Sequence, residues 1–122
     1  MMTTDGKRWM LFDEVERELR RQTRKFGEQN HRDAHPALLD REGGASPQRL
    51  AEDLEIPTAS RAKFICNAAA RAGHPYWSAI LVEEVAEAVA EIGDDAKLRA
   101  ELVQVAAVAV AWIEAIDRRG GR

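Results

Sequence analysis

Apolar residues recur at helical spacing along most of this chain, and no stretch alternates convincingly as a strand would. Leu11, Val15, Leu19 and Phe26, with Phe12 beside them, predict a first helix from about Trp9 to Asn30. Its acids (Asp13, Glu14, Glu16, Glu18) come early and its bases (Arg20, Arg21, Arg24, Lys25) late, the order that complements a helix dipole. Gly27 marks its loosening or its end. Residues 31–46, with Pro36, Gly43 and Gly44, read as a loop. Ser46 followed by Pro47 is a helix start, the serine as cap and the proline as first residue. A short helix should cover Pro47 to Leu54 and stop before Pro57, and another should run from near Thr58 to near Gly73. Leu81, Val85, Ala88 and Ile92 form one apolar face of a helix in the block Tyr76–Ile92, broken by Gly93, Asp94 and Asp95. The last block, Ala96 to Arg118, carries the stripe Leu98, Leu102, Val105, Ala109, Trp112 and Ile116, with Val103, Val108, Val110 and Ile113 on other faces. A helix apolar nearly all round is expected to be central, or covered by a second subunit. Residues 119–122 read as a flexible tail.

These elements make the fold class all-α, a single domain spanning 1–122. The length of 122 residues suits one core. With 45% hydrophobic and 32% charged residues the chain is globular in balance. A net charge of −3 argues against a generic polyanion binder, so nucleic acid is not the expected partner. The single cysteine, Cys66, excludes an internal disulfide, and a reducing cytoplasm is the expected compartment. The longest apolar run, Val105 to Ile113, is nine residues, whereas a membrane span needs roughly 20, so no membrane partner is expected.

The chemistry concentrates between Ile80 and Gln104. Glu83, Glu84 and Glu87 lie within one turn of one helix, and Glu101 and Gln104 within one turn of the next. A short turn at Gly93–Asp95 would fold the two helices antiparallel and bring both sets across one groove. Carboxylates that close repel each other unless a cation, a basic partner or water screens them. Oxygen ligands from two helices suit a hard cation, Mg²⁺ or Mn²⁺, which would hold a polyphosphate and activate a water. The plainer reading of such a run is a solvated acidic face; its setting amid Ile80, Leu81, Val82, Val85 and Ala86 favours the site.

The run Ile80-Leu81-Val82-Glu83-Glu84-Val85-Ala86-Glu87, followed after thirteen intervening residues by Glu101-Leu102-Val103-Gln104, resembles the EExxE…ExxD signature of the MazG-like all-α nucleoside triphosphate pyrophosphohydrolases. The segments Lys25–His31, Tyr76–Leu81 and Val105–Arg118 resemble small phage and actinobacterial members of that family. The resemblance implies a four- to five-helix bundle that forms a homodimer or homotetramer. It implies Mg²⁺-dependent hydrolysis of a nucleoside triphosphate to the monophosphate and pyrophosphate, a nucleotide-pool activity. Glu84, Glu87, Glu101 and Gln104 would be the metal ligands and Glu83 an accessory catalytic acid. Asn30, His31 and Arg32 would close over phosphate, and Trp77 would contact the base. Gln104 departs from the family's Asp and lacks the charge that holds the ion. The alternative is therefore a non-catalytic binding or assembly protein on the same scaffold, its metal site degraded at Gln104.

Other features are weaker. Glu114 and Asp117 form a second ExxD, too far along the last helix to meet Glu84 and Glu87. Pro47 to Arg61 faintly resembles a helix-turn-helix, with Leu50, Ala51, Leu54 and Ile56 as its core and Arg61 and Lys63 toward phosphate. Glu52, Asp53 and Glu55 oppose that use. His31, His35 and His74 lack the companions of a zinc site. Trp9, Trp77 and Trp112 read as core or interface anchors before they read as a base pocket, and Cys66 as buried filler.

Overall fold

The computed structural model describes residues 4–40 and 44–120, and every regular element among them is an α-helix. Six are present: α1 (Thr4–Phe26), α2 (Pro36–Leu39), α3 (Pro47–Leu54), α4 (Ala59–Arg71), α5 (Trp77–Ala90) and α6 (Asp95–Arg119). The all-α expectation therefore holds. Gly43, Gly121 and Arg122, assigned to loop and tail above, lie outside the described residues.

The chain divides into two compact units, Met1–His31 and Arg32–Arg122. The first is the single long helix α1. It begins at Thr4, earlier than its apolar spacing announces, and ends at Phe26, after which Gly27 takes a φ of 69°. Ion pairs run along it, among them Arg20–Glu16 at 2.7 Å and Arg21–Glu18 at 2.5 Å. Both lie at the i,i+3 or i,i+4 spacing that links neighbouring turns. Leu11 is its buried apolar residue; Trp9, Met10, Phe12, Val15, Leu19 and Phe26 are exposed.

In the second unit the helix starts follow the sequence chemistry. Ser46 Oγ accepts from the Arg49 N–H at 3.2 Å, with Pro47 in the first turn, and Thr58 Oγ1 accepts from the Arg61 N–H at 3.2 Å. Both satisfy amide donors that a helix start leaves without an intrahelical acceptor. The segment read as loop contains one extra turn of helix, α2. His35 Nδ1 caps it by accepting from the Ala37 N–H at 3.0 Å, and Pro36 supplies its first residue. That turn is too short for any periodicity to reveal. Between α3 and α4 the left-handed position is held by Glu55, with φ 55°.

The core is built from small residues. Leu50 and Ala51 on α3, Ala62 and Ala69 on α4, and Ala79, Ala86 and Ala88 on α5 are all buried. Alanine at these positions lets helices approach closely and costs little side-chain entropy. α5 packs against α3, α4 and α6, so it is the central helix of the unit. This corrects the central placement, one of the two expectations for α6, the other being cover by a second subunit: α6 contains no fully buried residue and leaves Leu102, Val103 and Ile116 exposed. The hydrophobicity of α6 is spread round the helix, but α5 covers only one side of it.

Candidate metal centre

The turn from α5 into α6 sets the geometry. Glu91 closes α5, Gly93 takes a φ of 110°, and Asp94 Oδ1 accepts from the Lys97 N–H at 3.2 Å to start α6. Few residues are needed, so the helices return against each other as expected. Glu84 and Glu87, one turn apart on α5, thereby meet Glu101 from the first third of α6. One carboxylate oxygen from each lies within 4.8 Å of the other two, and all three side chains are partly buried.

The electrostatics are those of an unneutralised cluster. The Glu84 carboxyl titrates above the usual range, first because burial disfavours its charge, then because Glu101 and Glu83 repel it. Glu87 is raised for the same first reason, then by the charges of Glu84, Glu83 and Glu101. Side-chain hydrogen bonds among the three glutamates of α5 contribute least to these shifts. Three oxygen donors from two rigid helices, partly desolvated and mutually repelling, fit a small divalent cation. The charge of such an ion would offset that repulsion, with water as its remaining ligands.

Glu83 faces α4. The Cys66 thiol donates to its carboxylate, and burial together with Glu83, Glu84 and Glu87 pushes that thiol up to about 11. Cys66 is partly buried, less enclosed than the filler expected of it, and it forms the α4 side of the acidic cluster. Its place among Phe64, Ile65 and Ala68 hid this, because nothing in α4 itself indicates which α5 residue it faces.

The remaining expected site residues are distributed differently. Gln104 is exposed, one turn beyond Glu101. Trp77 stacks on Trp112, with ring centroids 6.4 Å apart and planes 10° from parallel. Trp77 is two helical turns before Glu84, about 10 Å along α5, on the same face. The pair thus joins the start of α5 to the end of α6. Arg32 is held by Asp40 at 2.6 Å, with both side chains exposed. Asn30 and His31 belong to the first unit and bond locally, Asn30 Nδ2 to Glu28 at 3.0 Å and His31 Nε2 with Gln29 at 3.0 Å. His35 is engaged as a helix cap. Glu114 lies about 20 Å further along α6 than Glu101, outside the cluster.

A second feature of the same helix pair is a shallow apolar groove of about 240 Å³, lined by Val85, Val89 and Ile92 of α5 and Leu98, Leu102 and Val105 of α6, with Asp33. In the helix-turn-helix-like segment Leu50 and Ala51 are buried against α5, Leu54 is exposed, and Arg61 lies over the Phe64 ring at 5.2 Å. No described helix is long and apolar enough to cross a membrane. Comparison of the chain with family models, curated proteins and solved structures returns no match.

Proposed function

We propose that this protein is a Mg²⁺-dependent nucleoside triphosphate pyrophosphohydrolase. The observation that carries the reading is the convergence of Glu84, Glu87 and Glu101 from two helices to within 4.8 Å, with Glu84 and Glu87 shifted toward protonation. The resemblance of the same residues to the MazG-like signature supplies the reaction class. Glu84, Glu87 and Glu101 would hold the ion. Bound there, it would polarise the phosphoryl oxygens and acidify a water. Glu83, next to Glu84 on α5, would take the proton from that water. The water oxygen bonds to phosphorus as the α–β anhydride bond breaks, giving nucleoside monophosphate and pyrophosphate. Mn²⁺ would substitute, as its ligand preferences are similar.

The test is pyrophosphate release from a panel of NTPs and dNTPs with Mg²⁺, Mn²⁺ or chelator. Metal-dependent release that is lost in Glu87→Ala supports the reading; silence from wild type and from Gln104→Asp, with no metal uptake by calorimetry, rejects it. A second reading, a non-catalytic binding or assembly protein, is favoured by the uncharged, exposed Gln104 where the family's Asp would stand. It expects Glu84 and Glu87 variants to change stability alone.

A further inference from the structure

We propose that the apolar groove between α5 and α6 holds the base of a nucleotide, and that Asp33 at its rim selects guanine. The ligand class rests on the reading of the acidic cluster as a metal and phosphate site, but the groove is a separate surface and can be probed apart from it. Val85 and Val89 of α5 line the groove with Leu102 and Val105 of α6, and the buried Ala88 lies among them. Val85 directly follows Glu84, and Leu102 directly follows Glu101. Val89 stands about 8 Å beyond Glu84 along α5, toward the turn into α6. A phosphate held over the cluster thus sets its sugar and base beside the groove. Aliphatic walls from two helices and a volume of about 240 Å³ suit one planar ring system. Trp77, stacked on Trp112, lies at the opposite end of α5 from this groove.

Asp33 is the one polar residue among those that line the groove. Its neighbour Arg32 is held by Asp40 at 2.6 Å, so that cation is engaged elsewhere. Among the described residues no hydrogen bond or ion pair engages the Asp33 carboxylate. An ionised carboxylate accepts through two oxygens and donates nothing. Guanine, alone among the common bases, presents two adjacent N–H donors on one edge, N1–H and the 2-amino group, which a carboxylate takes as a bidentate pair. Hypoxanthine keeps only the first of them. Adenine and cytosine set an acceptor nitrogen beside their amino group, and uracil and thymine flank their N–H with carbonyls; a carboxylate repels each of these acceptors. A free carboxylate at the rim of an aliphatic groove therefore favours a 2-amino-6-oxopurine over the other bases.

The test titrates the full chain, without metal, with guanosine, inosine and adenosine, and follows the Ile, Leu and Val methyl signals by NMR. Nucleosides carry no phosphate, so the acidic cluster does not enter. Guanosine should shift the methyls of Val85, Val89, Leu102 and Val105 and bind about ten-fold tighter than inosine, with adenosine weaker still. Asp33→Asn, at an exposed position, should erase that preference and leave the melting temperature unchanged. Groove methyls that do not respond to guanosine overturn the proposal, the groove then being a seat for a protein surface. Equal binding of the three nucleosides overturns it, as does a preference that survives Asp33→Asn. Shifts confined to the surroundings of Trp77 and Trp112 also overturn it, because they place the base at the other end of α5. Pyrophosphate release from GTP, ITP and ATP with Mg²⁺ runs in parallel. Guanosine seated in the groove with no release from any triphosphate sustains the groove assignment and rejects the hydrolase; release without base preference does the reverse.

Discussion

Glu84 and Glu101 stand on different helices, yet the charge of each bears on the other: Glu101 helps raise the Glu84 carboxyl above its ordinary value. Folding therefore assembles a repulsion that the unfolded chain does not have. A carboxyl raised in the folded state favours folding while it is protonated. That contribution is complete below the unfolded value of about 4.5 and is lost as pH rises through the folded value. At neutral pH the cluster opposes folding, and a bound cation would reverse this. Mg²⁺ at ten times its dissociation constant should add about 1.4 kcal/mol, roughly 5 °C in Tm. The effect should be present at pH 7.5 and should vanish near pH 4. Glu84→Gln should melt slightly higher than wild type without metal and should gain nothing from Mg²⁺. Differential scanning calorimetry at the two pH values, with and without Mg²⁺, checks all three.

Gln104 follows Glu101 by one turn of α6 and is exposed, so a carboxylate there has room to turn toward the cluster. Gln104→Asp adds one negative charge near the three already converging. The expected result is a several-fold tighter Mg²⁺ dissociation constant, since a hard cation follows ligand charge. The apo protein should lose a few tenths of a kcal/mol from added repulsion, as for like charges one turn apart. Isothermal titration calorimetry and thermal melts measure the two in opposite directions, a pattern that a site remote from residue 104 would not give.

The parts of this protein legible in sequence are those with local causes. Ser46, Thr58 and Asp94 announce their helices because a capping side chain needs only the next turn to act on. Glu84, Glu87 and Glu101 could be brought together on paper because helix periodicity places two of them and a short turn returns the third. What escaped was set by packing between elements. The apolar surround of α6 pointed to a central helix or to one covered by a second subunit; within the chain α5, with small Ala79, Ala86 and Ala88 buried, takes the central place. Cys66 shows no sign in its own helix of the Glu83 it meets. The single turn at Pro36–Leu39 is shorter than any hydrophobic period. Arg32, expected at substrate, has an acidic partner eight residues on, Asp40, that a search for phosphate contacts does not consider.

Cys66 should be a slow thiol. Burial and the Glu83 carboxylate that it donates to, with further charge from Glu84 and Glu87, push it up to about 11 from 9.0. The reactive species is the thiolate, so at pH 7.5 its share falls about 100-fold relative to an ordinary cysteine. Iodoacetamide should label the native protein correspondingly slowly and the denatured protein at the normal rate. Glu83→Gln removes the hydrogen-bonded charge and should accelerate native labelling by several-fold, with burial accounting for what remains. Timed alkylation followed by mass spectrometry gives both rates.

The stacked pair Trp77–Trp112 ties the first turn of α5 to the last third of α6, on the faces that also carry Glu84 and Glu101. Both rings are partly buried, so removing one loses apolar burial together with the stacking contact. Trp77→Ala should cost about 2–3 kcal/mol, less than a fully buried tryptophan would. Trp77→Phe keeps an aromatic face against Trp112 and should recover most of that. Because Trp112 already occupies one face of Trp77, a base contact by this residue would use its opposite face or its edge. Trp77→Phe should then raise KM more than it lowers stability, leaving kcat near wild type. If the pair serves only to join the helices, Trp77→Phe should leave KM unchanged and Trp77→Ala should act through stability alone. Urea unfolding of both variants beside steady-state kinetics at saturating Mg²⁺ separates the two roles.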